Sequence, residues 1–148
     1  MLRAGQDLPG APTIQGHDVC YLRLRLIAEE LMELADAMGY CIQLNNMASP
    51  TPLRDKPKER HTDVIERNLD WEPDLVEIAD AFSDLNYVTV GGQSAFGIDG
   101  EPLDLEVHDS NMSKFIDGHK DEHGKWIKGP STRVPDLAPI LRAQGADC

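Results

Sequence analysis

Apolar positions in the first quarter of the chain recur with helical spacing. Between His17 and Met38, Leu24, Ile27, Leu31, Leu34 and Met38 follow a 3-4-3-4 rhythm, which predicts one buried stripe of an α-helix. Gly39 supplies its stop. A second stripe, Leu26, Glu30, Glu33 and Ala37, lies beside the first, so these carboxylates sit at the edge of the apolar face. A second helix is expected to begin near Asp70-Trp71-Glu72-Pro73, with Asp70 as its cap and proline tolerated in the first turn. It continues through Leu75, Ile78, Phe82, Leu85 and Thr89, and another face carries Glu77, Asp80, Asp84, Tyr87 and Gly91. Gly91-Gly92 costs a helix roughly 1 kcal/mol per glycine against alanine. Close packing, a kink or the helix end would each account for it. A third helix is expected over about residues 102–115, after the turn Asp99-Gly100-Glu101-Pro102, with Leu103, Leu105, Val107 and Met112 packing.

The remaining segments carry little periodicity. Residues 1–16 read as an extended lead-in, with Gly5, Pro9, Gly10, Pro12 and Gly16. Residues 40–70 read as a loop or insertion, with Asn45, Asn46, Pro50, Pro52 and Pro57 and a local basic patch of Lys56, Lys58 and Arg60. His61–Leu69 is expected as a short helix within it, presenting Val64, Ile65 and Leu69. Residues 116–148 form an irregular C-terminal tail that opens on a small hairpin or ordered loop, Ile116–Lys120 and Trp126–Lys128 flanking the turn Asp121–Lys125. No internal repeat, heptad run or low-complexity tract appears. The expectation is an all-α fold, one domain over residues 1–148.

Composition narrows the function. The chain has 148 residues and a net charge of −12. An acidic balance of this size argues against nucleic-acid polymers and anionic membranes, which require a basic surface. No apolar run approaches the ~20 residues of a membrane span, and residues 1–7 lack a signal-peptide apolar region. Cys20, Cys41 and Cys148 are odd in number and form no CxxC, which points to a reducing cytoplasm.

The chemistry concentrates in two acidic clusters, Glu29-Glu30-Leu31-Met32-Glu33 and Glu77-Ile78-Ala79-Asp80 with Asp84 one turn on. Residues three or four apart share a helix face. Two such helices packed antiparallel would gather four or five mutually repelling carboxylates. A hard divalent cation resolves that repulsion, and an all-oxygen set without histidine favours Mg²⁺ or Mn²⁺ over iron or zinc. The alternative is an acidic face in water. Trp71, Trp126, Tyr21 and Tyr87 are candidates for stacking on a base, or are core and interface residues. Lys120, Lys125 and Lys128 would close over phosphates or are solvated turn residues. His119 and His123 are flanked by glycines and do not read as a zinc site. Residues 118–125 do not form a Walker loop, because Trp126 stands where serine or threonine belongs.

These residues resemble a known family. Leu26–Leu34 and Glu77–Val88, carrying ExxE and then ExxD, are similar to the all-α nucleoside triphosphate pyrophosphatase superfamily, the MazG-like group. Val107–Lys114 and Asp121–Pro130 resemble the C-terminal half of its bacterial and phage subgroup. The likeness covers about residues 17–38 and 71–137. It implies hydrolysis of a nucleoside triphosphate to the monophosphate and pyrophosphate with Mg²⁺ or Mn²⁺, two or more ions. Glu30, Glu33, Glu77 and Asp80 would be metal ligands, and Glu29 would orient or deprotonate the attacking water. Asn111 and Lys114 would contact phosphate, with Asp84, Lys125, Lys128 and Trp71 also in the substrate site.

The resemblance also implies a helical bundle completed as a homodimer or homotetramer, in the cytoplasm, or the host's if phage-encoded. Phage members similar to MazZ act on (d)GTP, and the C-terminal blocks tilt the expectation that way. Other readings remain within the same fold: a dUTP or pyrimidine dNTP pyrophosphatase, a general house-cleaning pyrophosphatase, or a phosphoribosyl-ATP pyrophosphohydrolase. From a different class, the chain would be a non-catalytic helical oligomer with an acidic stripe.

Overall fold

The computed structural model describes residues 8–42, 65–122, 124 and 126–148. Among them, four helices and two short antiparallel ladders make the fold mostly helical. The helices are α1 (His17–Ala37), α2 (Leu75–Ala95), α3 (Gly100–Ser113) and α4 (Ala138–Ala143). The strands are β1 (Tyr40–Ile42), β2 (Ile65–Arg67), β3 (His119–Lys120) and β4 (Trp126–Ile127). The chain divides into two compact units, Cys20–Thr89 and Met1–Val19 with Val90–Cys148.

In the first unit, α1 ends where the pattern predicts. The Gly39 N–H donates to the Asp36 carbonyl at 2.9 Å, and Gly39 has a φ of 79°. A left-handed residue closes a helix at little cost only when it is glycine. The chain then enters β1, whose Tyr40, Cys41 and Ile42 pair with Arg67, Glu66 and Ile65. This corrects the expected loop and short helix at both ends of residues 40–70. Pairing with β1 gives the Ile65-Glu66-Arg67 backbone partners that an isolated turn of helix would lack. Residues 43–64, with Asn45, Asn46, Lys56, Lys58 and Arg60, lie outside the described residues.

The start of α2 also differs from expectation. Asp74, not Asp70, caps it: the Asp74 Oδ1 accepts from the N–H groups of Val76 at 2.8 Å and Glu77 at 3.3 Å. Pro73 disfavours helical backbone at Glu72, which pushes the start beyond it. Asp70 instead sits in a turn, its N–H donating to the Asn68 Oδ1 at 3.1 Å. At its other end α2 runs through Gly91-Gly92 to Ala95. A Cβ at Gly92 would meet nothing within 4 Å, so close packing does not explain that glycine.

Burial follows the predicted stripes only in part. Leu34 is buried, and so is Ala81, which the predicted stripe omits, yet Leu24 is 70% exposed, Leu75 79% and Phe82 51%. The periodicity identifies apolar faces that the described residues of one copy leave uncovered.

In the second unit, the extended lead-in is tied down where the Thr13 N–H donates to the Phe96 carbonyl at 2.9 Å. Helix α3 begins two residues earlier than expected because Asp99 caps it, accepting from the Glu101 N–H at 3.3 Å. Its buried residues are Ser110 and Ser113, while Leu105 and Met112, expected to pack, are exposed. Strands β3 and β4 pair His119 with Ile127 and Lys120 with Trp126, the expected hairpin. Helix α4 corrects the irregular tail. Pro139 lies in its first turn and Gly145, at a φ of 96°, follows its end, the usual asymmetry of those two residues.

Candidate functional site

The order of contacts shows how α1 and α2 run past each other. At one end the Asp74 N–H donates to the Ala37 carbonyl at 3.1 Å. One turn back along α1 and one turn forward along α2, Glu33 and Glu77 line the same cleft. A further turn on, Glu30 lies close enough to Asp80 and Asp84 for their charges to act on it. Residue numbers fall on one helix as they rise on the other, so the two acidic runs are antiparallel neighbours.

The electrostatics follow from that alignment. Glu30 is half-buried, and loss of solvation raises its carboxyl above the ordinary carboxylate range. The neighbouring carboxylates of Glu33, Asp84, Glu29 and Asp80 push it further the same way. A group in that position gains by any nearby positive charge. The donors are oxygens throughout, which fits a hard divalent ion such as Mg²⁺ or Mn²⁺. Among the described residues, no group of three or more histidine, cysteine, aspartate or glutamate side chains is already gathered to hold a metal ion. Glu33, Glu77 and Asp80 are exposed.

The cleft has a volume of about 420 Å³ and is lined by Glu33, Asp36, Ala37, Trp71, Glu72, Asp74 and Glu77. Trp71 gives it an aromatic wall. The Trp71 backbone approaches Gly39 closely: a Cβ on Gly39 would stand 3.2 Å from the Trp71 carbonyl oxygen. Asp36, Glu72 and Asp74 were not among the expected site residues. Asp36 had a readable signal, lying three residues beyond Glu33 on the same helix face. Asp74 carried only the cue of an aspartate after a proline.

Glu29 stands apart from the expected picture in one respect. Its Oε1 accepts a hydrogen bond from the Arg25 Nε at 2.8 Å, one turn earlier in α1. This pair raises the Arg25 guanidinium above its ordinary range, through the hydrogen bond first and the charge attraction second. The carboxylate is therefore oriented by a cation on its own helix.

The remaining expected residues belong to the other unit. Asn111 and Lys114 sit on one face at the end of α3, where the Lys114 Nζ donates to the Asn111 Oδ1. Lys128 is exposed just after β4. Lys125 and His123 lie outside the described residues. None of Cys20, Cys41 and Cys148 is in a disulfide. No helix among the described residues is long and apolar enough to cross a membrane.

A family model of phosphoribosyl-ATP pyrophosphohydrolases matches residues 7–111, more than half of the chain and both acidic helices. No curated protein matches the chain significantly.

Proposed function

We propose, from the premise that the chain belongs to the phosphoribosyl-ATP pyrophosphohydrolase family, that it cleaves a purine nucleoside triphosphate between its α- and β-phosphates with the help of Mg²⁺ or Mn²⁺. The coarser statement, a nucleotide pyrophosphohydrolase acting on a phosphoanhydride bond, follows from the family itself. The observation that carries the rest is the antiparallel register that brings Glu33 to Glu77 and Glu30 to Asp80 and Asp84.

In this reading Glu30, Glu33, Glu77 and Asp80 hold two or more ions. Those ions supply charge neutralisation for the polyphosphate and for the leaving pyrophosphate. Glu29, oriented by Arg25, accepts the proton of the attacking water. Asp84 adds negative charge beside Glu30. Trp71 stacks on the base from the cleft wall. Asn111 and Lys114 contact phosphate oxygens, with Lys125 and Lys128 as further cations.

Two substrates compete. The family match favours phosphoribosyl-ATP. The C-terminal blocks at residues 107–114 and 121–130, the second of them wholly beyond the matched residues, favour (d)GTP. The uncovered apolar residues Leu24, Leu75 and Phe82 favour a second or fourth copy of the chain completing the bundle. Pyrophosphate release from phosphoribosyl-ATP, dGTP, dATP and dUTP, with and without Mn²⁺, tests all of this at once. The dGTP reading expects a kcat/KM at least about tenfold above those for dUTP and dATP, or ~1.4 kcal/mol. Release from none of the four would favour the non-catalytic oligomer.

A further inference from the structure

We propose that Trp126 is a positioning residue for Lys114, its indole N–H fixing the backbone of the residue whose ammonium contacts substrate phosphate. The proposal rests on the reading of Asn111 and Lys114 as phosphate contacts. Helix α3 ends at Ser113, and Lys114 is its C-cap, with a φ of −65° and a ψ of −23°. The last carbonyls of a helix have no donor within it. The Lys114 carbonyl takes its donor from the Trp126 Nε1, at 2.5 Å.

The surroundings make this contact specific. Gly118 lies against it so closely that a Cβ there would stand 2.2 Å from the Lys114 carbonyl oxygen and 2.3 Å from the Trp126 Nε1. The Trp126 ring meets the Phe115 ring at 4.9 Å between centroids, tilted by 57°. On the helix side, the Ser113 Oγ donates to the Ser110 carbonyl at 2.6 Å and accepts from the Arg133 N–H at 3.0 Å. The final turn of α3 is thus held from two sides, by the indole and by the segment at Arg133. The ammonium of Lys114 and the amide of Asn111 are bonded to each other and move with that turn. A phenylalanine at position 126 would fill the same space against Phe115, so the indole N–H is the part that bears on Lys114.

The test is steady-state kinetics with whichever of dGTP or phosphoribosyl-ATP is turned over. Trp126→Phe keeps the ring and removes the donor. KM is expected to rise roughly five- to tenfold, with kcat and the Kd for Mn²⁺ alone within about twofold of the unaltered chain. Phe115→Leu, which keeps the indole N–H bond, is expected to leave KM within about twofold. Lys114→Met raises KM by itself, and in that background Trp126→Phe is expected to add less than about twofold, because coupled residues are not additive. A general loss of stability would instead give additive effects tracking a fall in Tm. That result, or an unchanged KM in Trp126→Phe while Lys114→Met raises it, overturns the positioning role. An unchanged KM in Lys114→Met overturns the phosphate reading itself, and the positioning role with it.

Discussion

Gly39 joins the end of α1 to the wall of the cleft, and replacing it with alanine separates two costs. The first is conformational. Gly39 has a φ of 79°, and an L-residue with a Cβ is disfavoured there by ~1–2 kcal/mol. The second is steric, since the new Cβ would stand 3.2 Å from the Trp71 carbonyl oxygen, which obliges the Trp71 loop to shift by a few tenths of an ångström. Gly124 provides the control, with nearly the same φ of 78° and nothing within 4 Å of its Cβ. Gly124→Ala should therefore cost about 1 kcal/mol from conformation alone. Gly39→Ala carries that conformational cost plus the steric one, about 2–3 kcal/mol together, which for a chain of this length lowers Tm by roughly 4–12 °C. Urea unfolding of both variants measures the difference. If Gly39→Ala costs no more than Gly124→Ala, the close approach of the Trp71 carbonyl plays no part in placing the cleft wall.

Other expectations follow from the same geometry. Glu30→Gln, Glu33→Gln and Asp80→Asn should each retain less than about a tenth of kcat, a loss above ~1.4 kcal/mol of transition-state stabilisation, with helical circular dichroism unchanged; a variant above that level is not a ligand. Glu29→Gln should lose roughly 10²–10⁴-fold in rate while still binding Mn²⁺ and nucleotide in calorimetry, and a matching loss of affinity would make it a ligand instead. Glu106 is held below its ordinary value of 4.5, first by the hydrogen bond from Arg133 and then by that from the Asp136 N–H. Its contribution to stability is present above the unfolded-state value and is lost as pH falls through the lower folded-state value. Glu106→Gln should therefore flatten the acid limb of a plot of Tm against pH; an unaltered limb would show that the pair at Arg133 does not contribute.

Helix α1 was legible almost to the residue because its apolar spacing and its glycine stop agree. The acidic pairing was legible because Glu30 and Glu33, then Glu77 and Asp80, repeat at helical spacing at the edges of apolar faces. What escaped the sequence was set by less periodic cues. The choice of Asp74 over Asp70 as cap depended on how Pro73 restricts the residue before it. The strand at Ile65–Arg67 depended on a partner at Tyr40–Ile42 that lies more than twenty residues away. On α3, hydrogen bonds to the segment at Arg133 bury Ser110 and Ser113, which no hydropathy pattern marks. Trp71 was a candidate from its residue type, but its place beside Asp36 came only from the fold.

The central claim is that the carboxylates of α1 and α2 hold the metal that makes this chain a pyrophosphohydrolase. Product analysis with phosphoribosyl-ATP and dGTP, in Mn²⁺ and in EDTA, for the unaltered chain and Glu33→Gln, tests it most directly. The account predicts pyrophosphate and the nucleoside monophosphate form of one substrate, only with Mn²⁺, and less than about a tenth of that kcat in Glu33→Gln. Pyrophosphate release that persists in EDTA, or that Glu33→Gln leaves intact, would contradict it.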